Sequence, residues 1–204
     1  RRRKSSGQRP CNRTCLHFFP ADVVIYVISR ISGEGKDRRK VKGDYYLSER
    51  EEEDLRYLAE MNKPVILILN AGGPVELTDI LEQTDNIKGI LNISQLGQEG
   101  GDALADVLLG KEVPGGKLTT TWARRYEDYP ASEEYGYLNG NLEKEKYKEG
   151  IYVGYRYFDS FDKKVMFPFG FGLSYTMFEM KCCSINMEES KIRAEVQVTN
   201  TGNE

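Results

Sequence analysis

Two apolar runs decide the fold: Val23-Val24-Ile25-Tyr26-Val27-Ile28-Ser29 and Val65-Ile66-Leu67-Ile68-Leu69-Asn70. Each has the length of a strand, is rich in β-branched residues and shows no polar alternation, the pattern of a parallel strand covered on both faces. Between them a polar loop over 33–43 gives way to Ser48. Ser48 and Glu51, three residues on, have the form of a capping box at a helix start. Glu49, Glu51 and Glu52 suit the positive end of the helix dipole, and Leu55, Leu58 and Ala59 form the inward stripe. Lys63-Pro64 ends the helix. Strand, capped helix and strand make a βαβ unit, which predicts a right-handed crossover between parallel neighbours.

Working outward, Ile80–Thr84 reads as a short helix and Gly89–Ile93 as a third strand. Glu99–Gly110 reads as a helix with Ala103, Leu104, Val107 and Leu108 inward and Gly110 as its stop. Lys117-Leu118-Thr119 is expected to be an edge strand, followed by an irregular stretch rich in Tyr and Gly through residue 174. Phe178–Met187 and Lys191–Asn200 then read as strands. The second alternates strictly, as a half-buried antiparallel strand does. The change of pattern puts a domain boundary near residue 178, and two strands are not stable alone. The expected fold class is therefore α/β: a three-layer α/β/α sandwich with a mostly parallel sheet over residues 21–177, then the first strands of a truncated β-sandwich over 178–204. Residues 1–20 show no periodicity and are read as an unassigned, poorly ordered tail.

The bulk properties exclude several classes. The 204 residues are 39% hydrophobic, enough for a sizeable core, and carry 29 basic against 32 acidic residues for a net charge of -3. That balance points to neither nucleic acid nor an anionic membrane as partner. No apolar run approaches the roughly 20 residues of a membrane-spanning helix. Arg1, Arg2, Arg3 and Lys4 are followed by no apolar segment, unlike a secretory signal. The four cysteines form two local pairs, Cys11/Cys15 and Cys182/Cys183, with His17 as the single histidine, so no zinc spacing is present. Free thiols in a reducing, cytoplasmic compartment are the expectation.

The informative motifs are Ser32-Gly33-Glu34-Gly35-Lys36-Asp37-Arg38, the helix start Gly97-Gln98-Glu99-Gly100-Gly101-Asp102, the stretch Glu149-Gly150-Ile151-Tyr152-Val153-Gly154-Tyr155-Arg156-Tyr157-Phe158-Asp159, and Phe167-Pro168-Phe169-Gly170-Phe171-Gly172-Leu173-Ser174-Tyr175-Thr176. None is diagnostic by spacing. In this order, from about Ala21 to Asn200, they resemble the C-terminal half of glycoside hydrolase family 3. Val198-Thr199-Asn200-Thr201-Gly202 is similar to the opening of the fibronectin type III-like domain that follows in many members.

The resemblance implies a retaining β-glucosidase that hydrolyses terminal, non-reducing β-D-glucosyl residues without a metal or organic cofactor. It implies two partners: a β-glucoside or oligosaccharide substrate, and an N-terminal barrel domain that supplies an aspartate nucleophile. The second carboxylate, the acid/base, falls on Glu34. Asp37 and Arg38 either orient Glu34 or pair with each other at the surface. The form of the Glu34 loop favours β-glucosidase over β-xylosidase. Chemistry is consistent with this role. A retaining glycosidase holds two carboxyl groups about 5–5.5 Å apart. The charge of one raises the pKa of the other, so that it can protonate the leaving oxygen and later act as base towards water. Glycines on both sides of Glu34 permit backbone conformations closed to other residues, and a loop leaving a parallel strand lies where open α/β sheets place ligand groups.

The chain departs from the family in two respects, the lesser being Gly115-Gly116-Lys117, which differs by one Gly from the usual Pro-Ser-Gly-Lys, a change a turn tolerates. Residues 1–20 do not resemble the βα units that precede the first strand in full-length members. Uncovered apolar surface, with self-association or marginal stability, is therefore expected, and the 204-residue chain alone, with one carboxylate of two, is expected to be inactive. The rival reading is a non-catalytic carbohydrate-binding or interaction module using Tyr152, Tyr155, Tyr157 or Phe158, although packing is the plainer role for those rings. The basic run Lys36, Arg38, Arg39, Lys40 and Lys42 reads as a solvated loop rather than a phosphate site.

Overall fold

The computed structural model describes residues 21–31, 37–135, 143–144 and 146–203. Strands β1 (Val24–Ser29), β2 (Val65–Asn70) and β3 (Ile87–Asn92) form a parallel sheet in the order β1-β2-β3. Helix α1 (Glu49–Glu60) connects the first pair and α2 (Thr78–Gln83) the second. Further on come α3 (Gly100–Leu108), the short antiparallel pair β4 (Trp122–Ala123) and β5 (Val165–Phe167), and α4 (Tyr155–Ser160). A long antiparallel hairpin, β6 (Phe178–Glu188) and β7 (Lys191–Asn200), closes the chain. The architecture is the expected α/β one, a parallel sheet with helices followed by antiparallel pairs.

The capping box at α1 forms as read. The Ser48 hydroxyl accepts from the Glu51 N–H at 3.2 Å, and the Glu51 carboxylate accepts from the Ser48 N–H at 2.7 Å. Two donors that a helix start would leave unpaired are thereby satisfied.

One face of the sheet carries the core. Val24, Tyr26 and Ile28 lie beside Val65, Leu67 and Leu69 in register. Leu55 and Leu58 of α1, Ile80 of α2, and Leu47, Val75, Leu77 and Trp122 close over them. Burying each such side chain contributes about 1.5–3 kcal/mol. Trp122 meets Phe167 edge-on at 6.0 Å, which carries the β4–β5 pair into the same core.

Four expectations need correction. First, β1 is covered on one face only. It is an edge strand, and its alternate residues Val23, Ile25 and Val27 are 47%, 53% and 53% exposed, while Ile68 on central β2 is fully buried. Apolar surface is thus left open, as the sequence reading anticipated for this edge. Second, Lys117–Thr119 is not a strand; β4 begins at Trp122. Leu118 nonetheless donates to the Phe171 carbonyl and accepts from the Gly170 N–H, both at 2.8 Å, so the run is held by two isolated backbone bonds rather than a ladder. Third, α3 has no fully buried residue; Leu104, Val107 and Leu108 are half-buried and Ala103 is exposed. Fourth, β7 is not half-buried. Ile192, Ala194, Val196 and Val198 face Met187, Ile185, Cys182 and Met180 across the hairpin, and all eight stand exposed. Cys182 and Cys183 carry free, exposed thiols; Cys11 and Cys15 lie outside the described residues.

Candidate active-site loop and its anchors

The loop leaving β1 starts at the carboxyl edge of the sheet. There the Arg30 N–H donates to the Asn70 carbonyl at 3.0 Å, and the Asn70 amide donates to the Ser29 hydroxyl at 3.3 Å. Glu34 lies outside the described residues, with its neighbours Ser32, Gly33, Gly35 and Lys36. The flanking segments on either side of it are described, and both are firmly tied.

Arg30, on the strand side, is buried. Its Nη1 and Nη2 donate to the two carboxylate oxygens of Glu51 at 2.8 and 2.7 Å. Nη1 also donates to the Ser29 carbonyl at 2.9 Å, Nε to the Asp44 carbonyl at 2.8 Å, and Nη2 to the Tyr46 carbonyl at 3.3 Å. This forked pairing suits a planar guanidinium and fixes direction as well as distance. Burial pushes the Glu51 carboxyl up, but the Arg30 guanidinium and the Ser48 N–H outweigh it and hold Glu51 below the ordinary carboxylate range.

Arg38, on the far side, turns to Asp44 rather than to its neighbour Asp37. Its Nε donates to Asp44 Oδ1 at 2.9 Å, its Nη2 makes a short bond to the Asp44 carbonyl, and its Nη1 donates to the Pro74 carbonyl at 2.6 Å. The Arg39 N–H takes Asp44 Oδ2 at 2.8 Å. Burial raises the Asp44 carboxyl, yet the Arg39 N–H and the Arg38 guanidinium prevail and its pKa is lowered. Asp37 is exposed and accepts from the Tyr135 hydroxyl at 3.3 Å.

A ring cluster supports this loop. Tyr45 is buried, with Tyr46 at 5.5 Å, Tyr126 at 5.0 Å and the Arg38 guanidinium 5.9 Å from its ring centroid. Lys40 sits 4.7 Å from the Tyr126 ring centroid and pairs with Glu127. Lys42 pairs with Glu52 at 3.5 Å. Three members of the basic run, Arg38, Lys40 and Lys42, are thus each paired with a carboxylate. Glu76 accepts the Tyr126 N–H at 2.8 Å. Its pKa is raised, by burial first and by the charge of Glu127, against the pull of the Tyr126 N–H and Arg125.

The other aromatic candidates separate. Phe158 is buried, whereas Tyr152 and Tyr155 are partly exposed and lie against Phe161 at 5.0 Å and Phe169 at 4.9 Å. Sequence reasoning missed Arg30, Asp44 and Glu51 as a network. A charged residue placed directly after a buried strand was the available signal for Arg30; Asp44 offered none.

A parallel sheet with helices, followed by antiparallel strand pairs, defines the class of domain as α/β, in which ligands are generally bound beyond the carboxyl ends of the strands. The comparison with known families then fixes the identity. Residues 17–155 match the glycosyl hydrolase family 3 C-terminal domain, and the chain belongs to glycoside hydrolase family 3. It is 40% identical to β-glucosidase A of Butyrivibrio fibrisolvens, over 78% of this chain and 22% of that protein. It is similar in structure to β-glucosidase 3B of Thermotoga neapolitana in complex with glucose, with a TM-score of 0.80 and 45% identity, covering 89% of this chain and 26% of the other. A β-glucosidase from Paenibacillus barengoltzii gives a TM-score of 0.82 at 36% identity, over 90% and 20%. The chain therefore spans about a fifth to a quarter of the length of these relatives.

Proposed function

We propose that this segment contributes the general acid/base, Glu34, of a retaining β-glucosidase that removes terminal, non-reducing β-D-glucosyl residues. The observation that carries the reading is the similarity over most of the chain to proteins named β-glucosidases, including one solved with glucose. The anchoring of both flanks of the Glu34 loop at the carboxyl edge of the sheet supports it, because a proton donor must be held to within a fraction of an ångström of its acceptor.

In the proposed reaction an aspartate from another part of the enzyme attacks the anomeric carbon while Glu34, protonated, gives its proton to the departing glycosidic oxygen. Once the aspartate is esterified, its charge is gone and the pKa of Glu34 falls. The carboxylate then takes a proton from the water that hydrolyses the glycosyl-enzyme.

The test uses the complete protein. Glu34→Ala should abolish turnover of cellobiose, whose leaving group needs protonation, while sparing the first step for an activated aryl glucoside. Azide, which needs no base, should then restore turnover of the activated substrate. Undiminished cellobiose hydrolysis by Glu34→Ala overturns the assignment.

A further inference from the structure

We propose that Glu76 is a pH-sensitive latch: protonated, it holds the short 3₁₀ turn Tyr126–Asp128 closed against loop 38–46, and its ionisation releases the turn by local opening. Its basis is a carboxyl group placed where two distant stretches of chain meet. The Glu76 main chain belongs with loop 38–46. Its N–H donates to the Tyr45 carbonyl at 3.0 Å, beside a bridge between Tyr46 and Glu76. Its side chain crosses to the turn, where Oε2 accepts from the Tyr126 N–H at 2.8 Å. The turn in turn grips the loop: Tyr126 meets Tyr45 edge-on at 5.0 Å and lies 4.7 Å from Lys40, which also pairs with Glu127. Releasing the Tyr126 N–H would therefore loosen contacts on both sides.

The surroundings undercompensate a negative charge. The Glu76 side chain is 10% exposed, and among the described residues its carboxylate accepts one hydrogen bond, that from Tyr126. Arg125 stands 4.0 Å away but is committed to Asp79 at 2.8 Å. Glu127 on the turn and Asp79 on α2 add like charges. A cavity of about 100 Å³ beside Glu76 also admits Glu52 and Arg56 of α1, which pair with each other at 3.3 Å. Tyr45, Tyr46 and Tyr126 complete the titratable neighbours, and burial above all pushes their phenols up, so they stay neutral. Burial and the two like charges prevail over the Tyr126 N–H and Arg125, which raises the Glu76 pKa. A protonated Glu76 keeps the Tyr126 bond through one oxygen and needs no counter-charge, whereas the ionised group is better solvated once the turn moves away. The raised value belongs to the closed state. Closure is therefore strongest in acid, weakens as pH passes the ordinary carboxylate value of the open state, and levels off above the closed-state value.

Amide hydrogen exchange of the 204-residue chain, followed by NMR and corrected for intrinsic rates, reads the opening directly. The reporters are the amides of Tyr126, Asp128 and Tyr129, which donate to Glu76, Arg125 and Tyr126. From about pH 4 to about pH 8 their opening constants should rise at least about threefold, and by more than those of β2. Glu76→Gln, whose amide oxygen can still accept the Tyr126 N–H, should abolish the excess rise. Asp79→Asn, at a side chain 59% exposed, removes a like charge and frees Arg125 for Glu76. It should shrink the rise, and it decides the matter if Glu76→Gln does not fold. A flat profile in the unsubstituted chain overturns the proposal. So does an equal rise at β2, which would mean global unfolding, or a rise undiminished by the deciding substitution.

Discussion

Removing the Arg30 guanidinium should destabilise the fold more than any comparable change on the loop. Arg30→Leu keeps an apolar stem at a site whose side chain is 5% exposed but deletes both bonds to Glu51, itself 16% exposed. The Glu51 carboxylate would keep the Ser48 N–H at 2.7 Å as its remaining described donor, and the carbonyls of Asp44 and Tyr46 would lose the Arg30 donors at 2.8 and 3.3 Å. Breaking a buried pair by removing one partner costs about 3–5 kcal/mol, because a charge is left in a poor solvent. Against a domain stability of about 5–15 kcal/mol, that is a large fraction. If the stranded charge is the cause, the double variant Arg30→Leu/Glu51→Gln should recover about 1–3 kcal/mol of the loss, since glutamine removes the charge while its amide oxygen still serves the capping box. The assay is equilibrium urea unfolding followed by far-ultraviolet circular dichroism, with all variants fitted to a common slope. The pH dependence gives an independent sign. Glu51 is held below its ordinary range, so its contribution is present above the unfolded-state value and is lost as pH falls through the folded-state value. Arg30→Leu should flatten that acid limb. A loss below about 1 kcal/mol, or a double variant as unstable as the sum of the single ones, refutes the reasoning.

Two further outcomes follow from groups elsewhere. Glu76 has the opposite linkage: its raised folded-state pKa means that its ionised form is disfavoured, so stability falls as pH rises through that value. Glu76→Gln, whose amide oxygen can still accept the Tyr126 N–H, should match or exceed the wild type in thermal melts at neutral pH, with the advantage vanishing in acid. On β1, the double variant Ile25→Lys/Val27→Lys replaces two side chains that are each 53% exposed on the open face. Sedimentation velocity of the 204-residue chain should show less concentration-dependent association than the unsubstituted chain, and unchanged association would mean that another surface is responsible.

Legibility followed the range of the interactions. The βαβ unit was readable because Val23–Ser29 and Val65–Asn70 are uninterrupted apolar runs, and because the Ser48–Glu51 box closes within one helical turn. Coverage of β1 was misread because a run apolar at every position says nothing about its place in the sheet; that depends on the order β1-β2-β3. The β4 strand was misplaced because it exists only through Trp122 meeting Phe167 far along the chain. For the site, Glu34 and its companions Asp37 and Arg38 came from motif resemblance. Arg38 proved to hold Asp44, and Asp37 to accept from Tyr135, contacts set by tertiary structure that no spacing rule anticipates. Asp44 itself, six residues past Arg38, looked like any turn carboxylate.

Trp122 is the sole indole in the sequence and is 3% exposed at the meeting of the sheet and the β4–β5 pair. Its intrinsic emission therefore belongs to the α/β unit and is silent about the β6–β7 hairpin, which contains no tryptophan. A red shift on heating would time the opening of the sheet core, and hairpin melting would pass unseen unless a second fluorophore were attached at Cys182 or Cys183.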